Sequence, residues 1–169
     1  SPGTDDLVSV QTEGNAYVTV FSTAVDPDPQ LAYSGLNSPQ AIALDNDGNL
    51  YAADARGDDD VNDDAIVAYG PMRLPEDLST GLPDVHGLVY NLLTQTLIVS
   101  VQANTVTAPA QFWSVDTTTG ALELYFGTEL QGQPSSLVFD YPAGLAYFVV
   151  QGDNNVYQIN FNQTTGLFE

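Results

Sequence analysis

The sequence predicts an all-β fold, a β-propeller of four-stranded antiparallel blades. Three observations carry this. Short apolar runs alternate with turns rich in Gly, Asn, Asp and Pro, and no run of useful length keeps a helical period. Three segments open with a proline just ahead of an apolar strand, at Pro39, Pro83 and Pro134, spaced at about the 40–50-residue period of propeller blades. Each opening strand is followed by a turn, a second strand, a third and a weaker fourth. A sandwich or a solenoid is the structural alternative.

The clearest unit runs from Ser38 to Asp54. Its first strand, 41–45, alternates Ile42 and Leu44 with small residues, Asp47-Gly48 supplies the turn, and residues 50–54 form the second strand. The same pair recurs as 86–90 with 97–102 and as 136–140 with 145–151. Third strands are expected at 65–69, 111–116 and 155–161, and fourth strands at 74–78, 121–126 and 166–168. The polar turns 116–120 and 162–166 echo one another, each ending in glycine. Residues 7–21 lie well over 147–161, so the first blade holds strands two to four and lacks its innermost one. The chain is expected to be a single propeller segment of about four blades, with boundaries near 1–36 (partial), 37–80, 81–130 and 131–169. It is expected to be part of a larger ring, completed by missing blades or by another protein chain, with a small four-bladed ring as the alternative.

Composition restricts the function. The 169 residues include 22 Asp and Glu against two Lys and Arg, a net charge of −20. Nucleic acid is excluded as a partner, because phosphate binding needs clustered cations. No apolar stretch approaches the roughly 20 residues of a membrane span. Charged residues make up 14% of the chain and aromatic and β-branched residues are plentiful, so the acidity is that of a folded surface and not of a disordered tail. Cysteine is absent, which removes disulfide and thiol chemistry. The chain opens at Ser1 without a leader, as expected of a mature or trimmed product. The balance suits a protein secreted or held at a cell surface in a salty or calcium-containing medium; a halophile's cytosol is the alternative.

Residues Pro39-Gln40-Ala41-Ile42-Ala43-Leu44-Asp45-Asn46-Asp47-Gly48-Asn49-Leu50-Tyr51-Ala52-Ala53-Asp54 resemble the repeat of NHL-type and gluconolactonase-like (SMP-30-like) propellers. Pro83-Asp84-Val85-His86-Gly87-Leu88-Val89-Tyr90 resembles the same blade opening. The resemblance implies the propeller fold and rings of six or more blades. It leaves activity open, since such propellers include enzymes, binding modules and surface proteins.

Within that architecture the loops after second strands gather with the blade-to-blade loops around the channel mouth. The acidic loop 54–64 offers Asp54, Asp58, Asp59, Asp60, Asn62, Asp63 and Asp64 as oxygen ligands for a hard cation such as Ca²⁺, or is simply a solvated loop. Gln11, Asp54, Gln102 and Gln151 end the second strands and are read as equivalent. With Asp84 and His86 they form a polar set near the channel, either binding a ligand or satisfying backbone groups between blades. Arg56-Gly57-Asp58 reads as coincidence before it reads as an integrin motif, and Asp45 to Asn49 reads as a turn before a calcium loop. Asn162 begins a glycosylation sequon. No Ser or Cys nucleophile arrangement accompanies the single histidine. The function expected is a non-catalytic binding or structural module. The alternative is part of a gluconolactonase-like hydrolase, with Asp54 and Asp84 among its cation ligands and missing blades supplying the others.

Overall fold

A computed structural model describes residues 7–11, 17–21, 30–56, 63–69, 75–102, 109–153 and 155–169, with side chains from Gly35 onward. The described residues form 14 strands and no helix. In the first sheet β1 (Leu7–Gln11), β2 (Tyr17–Phe21) and β3 (Gln30–Ser34) lie side by side in that order. The second blade is β4 (Ser38–Leu44), β5 (Leu50–Ala55), β6 (Asp64–Tyr69) and β7 (Glu76–Leu82). The third is β8 (Val85–Asn91), β9 (Thr96–Gln102), β10 (Pro109–Asp116) and β11 (Leu122–Gln131). The fourth is β12 (Pro134–Asp140), β13 (Leu145–Val150) and β14 (Val156–Asn160). Every pairing is between consecutive strands and antiparallel, so each sheet is a simple meander.

The placement of β1 bears on the expected missing strand. Inner strands touch along the series β4, β8, β12. Second strands reach the next inner strand, β5 against β8 and β9 against β12, and β1 reaches β4 in the same way. The first sheet therefore stands where a blade stands without its innermost member. The outer strands differ in extent from expectation. β7 ends at Leu82 and β11 at Gln131, each running past the anticipated blade boundary. Residues 166–168 contribute only the bridge Phe161–Phe168 in place of a full fourth strand. Phe168 packs its ring against Tyr125, Phe126 and Phe139, at centroid distances of 4.9, 5.2 and 6.0 Å. The Gly166 carbonyl accepts from Asn91 Nδ2 at 3.1 Å and from the Tyr125 hydroxyl. These contacts hold the end of the chain onto the third blade.

The core lies between blades. Side chains alternate along each strand, and the second and third blades are apolar on both faces. Ala43, Tyr51, Ala53 and Ile66 of the second blade meet Val85, Leu97, Val99, Val101 and Val115 of the third. Ile98, Ala110 and Phe112 on its other face meet Phe148 and Val150 of the fourth. Leu36, Leu50, Ala52, Ala65, Val67 and Tyr69 form the second blade's opposite face. Full burial of each Val, Leu, Ile or Phe is worth about 1.5–3 kcal/mol, so these seams hold the blades together.

Turn chemistry explains where strands reverse. Asp45 Oδ1 accepts from the amides of Asp47 and Asn49, Asn91 Oδ1 from Leu93, and Asp140 Oδ1 from Ala143. The two echoing turns behave alike: Asp116 Oδ1 accepts from Thr118 and Thr119, and Asn162 Oδ1 from Thr164 and Thr165. Gly120 and Gly166 close them at φ 71° and 73°, a conformation that side chains with a Cβ disfavour.

Gly87 is small for a different reason. A Cβ there would stand 2.6 Å from the Ser135 carbonyl oxygen and 2.7 Å from Ser100 Oγ, so its absence lets β8 and β12 approach. Gly87→Ala is expected to destabilise the protein by about 1–3 kcal/mol in urea unfolding, while Gly127→Ala, whose Cβ meets nothing within 4 Å, should change it little. Equal effects would remove the close-approach explanation.

Candidate functional site at the bulged strand ends

Each inner strand begins with the same irregularity. The register with its second strand shifts between Pro39 and Ala41, between Val85 and Gly87, and between Pro134 and Ser136. A bulge leaves one residue unpaired and re-aims it. Gln40, His86 and Ser135 are therefore equivalent, and Ser38, Asp84 and Gln133 precede them by two. Pro83 is thus not the counterpart of Pro39 and Pro134; Val85 is. This moves His86 one residue away from the alignment anticipated above, off the interblade face and into the bulge.

The same register corrects the arc of second-strand ends. The amide of Gln102 donates to the Asp84 carbonyl at 3.0 Å, and the amide of Gln151 to the Gln133 carbonyl at 2.7 Å. These two glutamines are equivalent. Their counterpart in the second blade is Ala55, opposite Ser38, whereas Asp54 pairs with Pro39 one residue earlier. Gln11 ends β1 opposite Tyr17, and its side chain lies outside the described ones. The Gln102 side chain is buried and that of Gln151 is exposed.

Asp84 joins the bulge residues across blades. Its Oδ2 accepts from Gln133 Nε2 at 3.2 Å and lies 3.1 Å from His86 Nε2, off the line that a hydrogen bond requires. Nε2 of His86 is buried and unpartnered, although the ring as a whole keeps some exposure and the Asp84 side chain is half exposed. In the second blade Gln40 Nε2 donates to Ser38 Oγ at 3.1 Å. The bulged ends present amides, hydroxyls, one carboxylate and one imidazole.

The acidic residues beside them are occupied by the chain itself. Asp54 is 1% exposed; its Oδ1 accepts from the amides of Asn37 and Ser38, both at 2.8 Å, and its Oδ2 from Arg56 Nε at 3.2 Å. Asp64 Oδ1 accepts from the Arg56 amide at 2.8 Å, and Oδ2 from the amide of Val85, also at 2.8 Å, which ties the second blade to the inner strand of the third. Burial pushes the Asp64 carboxyl above its usual range; the two amides pull it back, and the charges of Asp84 and Asp63 push it further up. Arg56 forks onto Asp77 of β7, with Nη1 2.8 Å from Oδ2 and Nη2 on Oδ1. That pairing holds the Asp77 carboxyl below its usual range and keeps Arg56 charged.

Of the proposed cation ligands, Asp54 and Asp64 thus point their oxygens at N–H donors, and Asp63 lies beside Asp64. Asp58, Asp59, Asp60 and Asn62 lie outside the described residues. Among the described residues no three His, Asp or Glu side chains converge as a metal cluster would. Arg56 of the Arg-Gly-Asp tripeptide has its guanidinium taken by Asp54 and Asp77, while Gly57 and Asp58 are outside the described residues. Asn162 sits in its turn with Nδ2 donating to Glu169 Oε1 at 2.9 Å. Sequence reasoning missed Gln40, Gln133, Ser135 and Asp77. No change of composition marks the bulges, and nothing in the sequence pairs Asp77 with Arg56.

No family model matches the chain, and no curated protein does. Solved structures do. The chain is similar to a structure from a nidogen/laminin complex, with a TM-score of 0.73 and 17% identity over 98% of this chain and 59% of that one. It is similar to an auxiliary nutrient binding protein from Bacteroides ovatus, with a TM-score of 0.74 and 16% identity over 98% of this chain and 37% of that one. It is also similar to a gluconolactonase from Xanthomonas campestris, with a TM-score of 0.67 and 18% identity over 96% of this chain and 56% of that one. The chain spans less than two thirds of the length of each. The likeness is one of fold, and it meets the propeller expectation drawn from residues 39–54. No helix among the described residues is long and apolar enough to cross a membrane.

Removing the Asp64 carboxylate would strand the buried amide of Val85 and the part-buried amide of Arg56. Asp64→Ala is expected to cost about 1–3 kcal/mol for each amide in denaturant unfolding, against about 0.5 kcal/mol or less for Asp63→Ala. For Asp77 the sign follows from its depressed folded-state pKa: its stabilisation is present above the ordinary value of 3.8 and is lost as pH falls through the lower one. The pair is solvent-screened, so wild type should exceed Asp77→Asn by roughly 0.5–1 kcal/mol at neutral pH. The gap should close in acid unfolding titrations; a gap that persists at the acid end would refute the ion pair.

Proposed function

We propose that the chain is a segment of an acidic, exported propeller that acts as a non-catalytic binding or structural module at a cell surface or in an assembly. Further blades, in the same polypeptide or from a partner chain, complete its ring. The observation that carries this reading is the use made of charge at the bulged ends. Asp54 and Asp64 direct both carboxylate oxygens at strand-entry amides and Arg56, and Asp84 holds Gln133 beside His86. The Asp64–Val85 and Asp84–Gln133 contacts tie neighbouring blades together, and the groups offered to a ligand are amides and hydroxyls beside the half-exposed Asp84 and His86. Such a surface suits a neutral, hydroxyl-rich molecule or a protein loop better than an anion. Calcium is the counter-ion we propose for the acidic loop 54–64, where self-repulsion of the aspartates favours a bound cation.

The second reading is a gluconolactonase-like hydrolase. It is favoured by the half-exposed Asp84 carboxylate beside His86 and by the fold likeness to the Xanthomonas enzyme. The two readings separate in one assay. The non-catalytic module should leave a lactone hydrolysing at its uncatalysed rate with or without calcium. Calcium-dependent turnover that disappears in Asp84→Asn would establish the hydrolase instead. In thermal unfolding, calcium is expected to raise Tm relative to chelator; identical curves would remove calcium from the proposal.

A further inference from the structure

We infer that the outward face of the fourth blade is a docking surface for a further four-stranded blade, one that presents apolar side chains from its inner and second strands. The inference rests on the reading that additional blades complete the ring, and it specifies where and through which residues they attach.

The repeat supplies the comparison. Register makes Ile66, Phe112 and Val156 equivalent, since they pair with Ala53, Ser100 and Val149 on their second strands. Ile66 and Phe112 are 0% exposed, each covered by the blade that follows; Val156 is 70% exposed. Ala43, Val89 and Val138 are equivalent in the same way, opposite Tyr51, Ile98 and Tyr147. Ala43 is buried and Val89 packs into the next seam, but Val138 is 58% exposed. The fourth blade's other face, carrying Leu137, Phe139, Phe148 and Ile159, is already sealed against the third.

The composition of the open face matches that of the covered ones. Val138 stands across from Tyr147, and Val149 across from Val156, so the middle of the sheet carries four apolar residues as two cross-strand pairs. Of their neighbours on this face, Ser136, Gln158 and Asn160 are uncharged, while Asp140 stands at the turn end of β12, where its Oδ1 accepts from the Ala143 amide. On a chain of net charge −20 a sheet face whose middle carries no charge is a continuation of the interblade seams. The occupant follows from what the third and fourth blades offer to the blades before them: Leu88, Val99 and Val101 in one case, Leu137, Phe148 and Val150 in the other. A further blade carrying medium to large apolar residues at those inner- and second-strand positions fits here.

These 169 residues hold no cysteine, so a thiol introduced among them is the only one they carry, and labelling is read on their peptides against the unsubstituted protein. Val138→Cys, Val156→Cys and the reference Leu124→Cys, which is exposed on β11, are produced in the source cells and isolated natively. Each is labelled with a maleimide and weighed by native mass spectrometry. The docking surface requires the thiols at 138 and 156 to react about tenfold or more slowly than the one at 124, independently of concentration. In the 169-residue chain alone, all three should react alike. A particle larger than this chain with position 156 still reactive would overturn the docking face while leaving ring completion intact. A particle of this chain's mass alone would overturn both. Protection that grows with concentration as the mass doubles would assign the face to a second copy and overturn the blade. Lactone turnover bears on the functional reading and leaves the labelling result unchanged.

Discussion

The second and third blades are apolar on both faces, and that constraint governs the rest of the structure. A sheet with one wet face can stand on a core; a sheet with two dry faces must be sandwiched. The second and third blades satisfy this through continuous seams, in which Val99, Val101, Phe112 and Phe148 are buried. Radial repetition is the arrangement that lets every such sheet find two neighbours without stacking into a fibre. Gly87 follows from the same demand, since two inner strands converging on an axis leave no room for a side chain where β8 meets the Ser135 carbonyl.

Charge is arranged around the seams and not within them. With two basic residues against 22 acids, most carboxylates can be stabilised only by backbone amides, polar side chains or solvent. Backbone amides take a large share. Asp45, Asp116 and Asp140 accept from turn amides, Asp54 from the entry to β4, and Asp64 from the entry to β8. Arg56 is placed where one cation can serve two carboxylates, Asp54 on one side and Asp77 on the other. The acidity that suggests a cation site is thus in part a set of turn and strand-entry clamps.

The repeat is legible because its signals are local. Strand alternation, the glycine-closed turns 116–120 and 162–166, and the proline-led openings each involve a few neighbouring residues, and the blades follow from them. The truncated first sheet is legible by the same route, through the match of residues 7–21 to 147–161. The site is less legible. A bulge changes register by one residue without altering composition, so matching residues 86–90 to 41–45 places His86 one position off. Matching Asp54 to Gln102 and Gln151 fails for the same reason, since its carboxylate serves the strand entry beside it.

Period, turn chemistry and charge balance, all encoded over short stretches, were determined by the sequence alone, and they specify antiparallel four-stranded units with an acidic exterior. Which residue of each unit enters the bulge, which carboxylates are consumed by amides, and which apolar face is left uncovered were decided only by the tertiary structure. These depend on contacts between residues separated by whole strands or blades, such as Asp64 with Val85 and Gln133 with Asp84. No local propensity records such contacts, because the free energy of burying a seam or satisfying a strand-entry amide exists only once neighbouring sheets are in place.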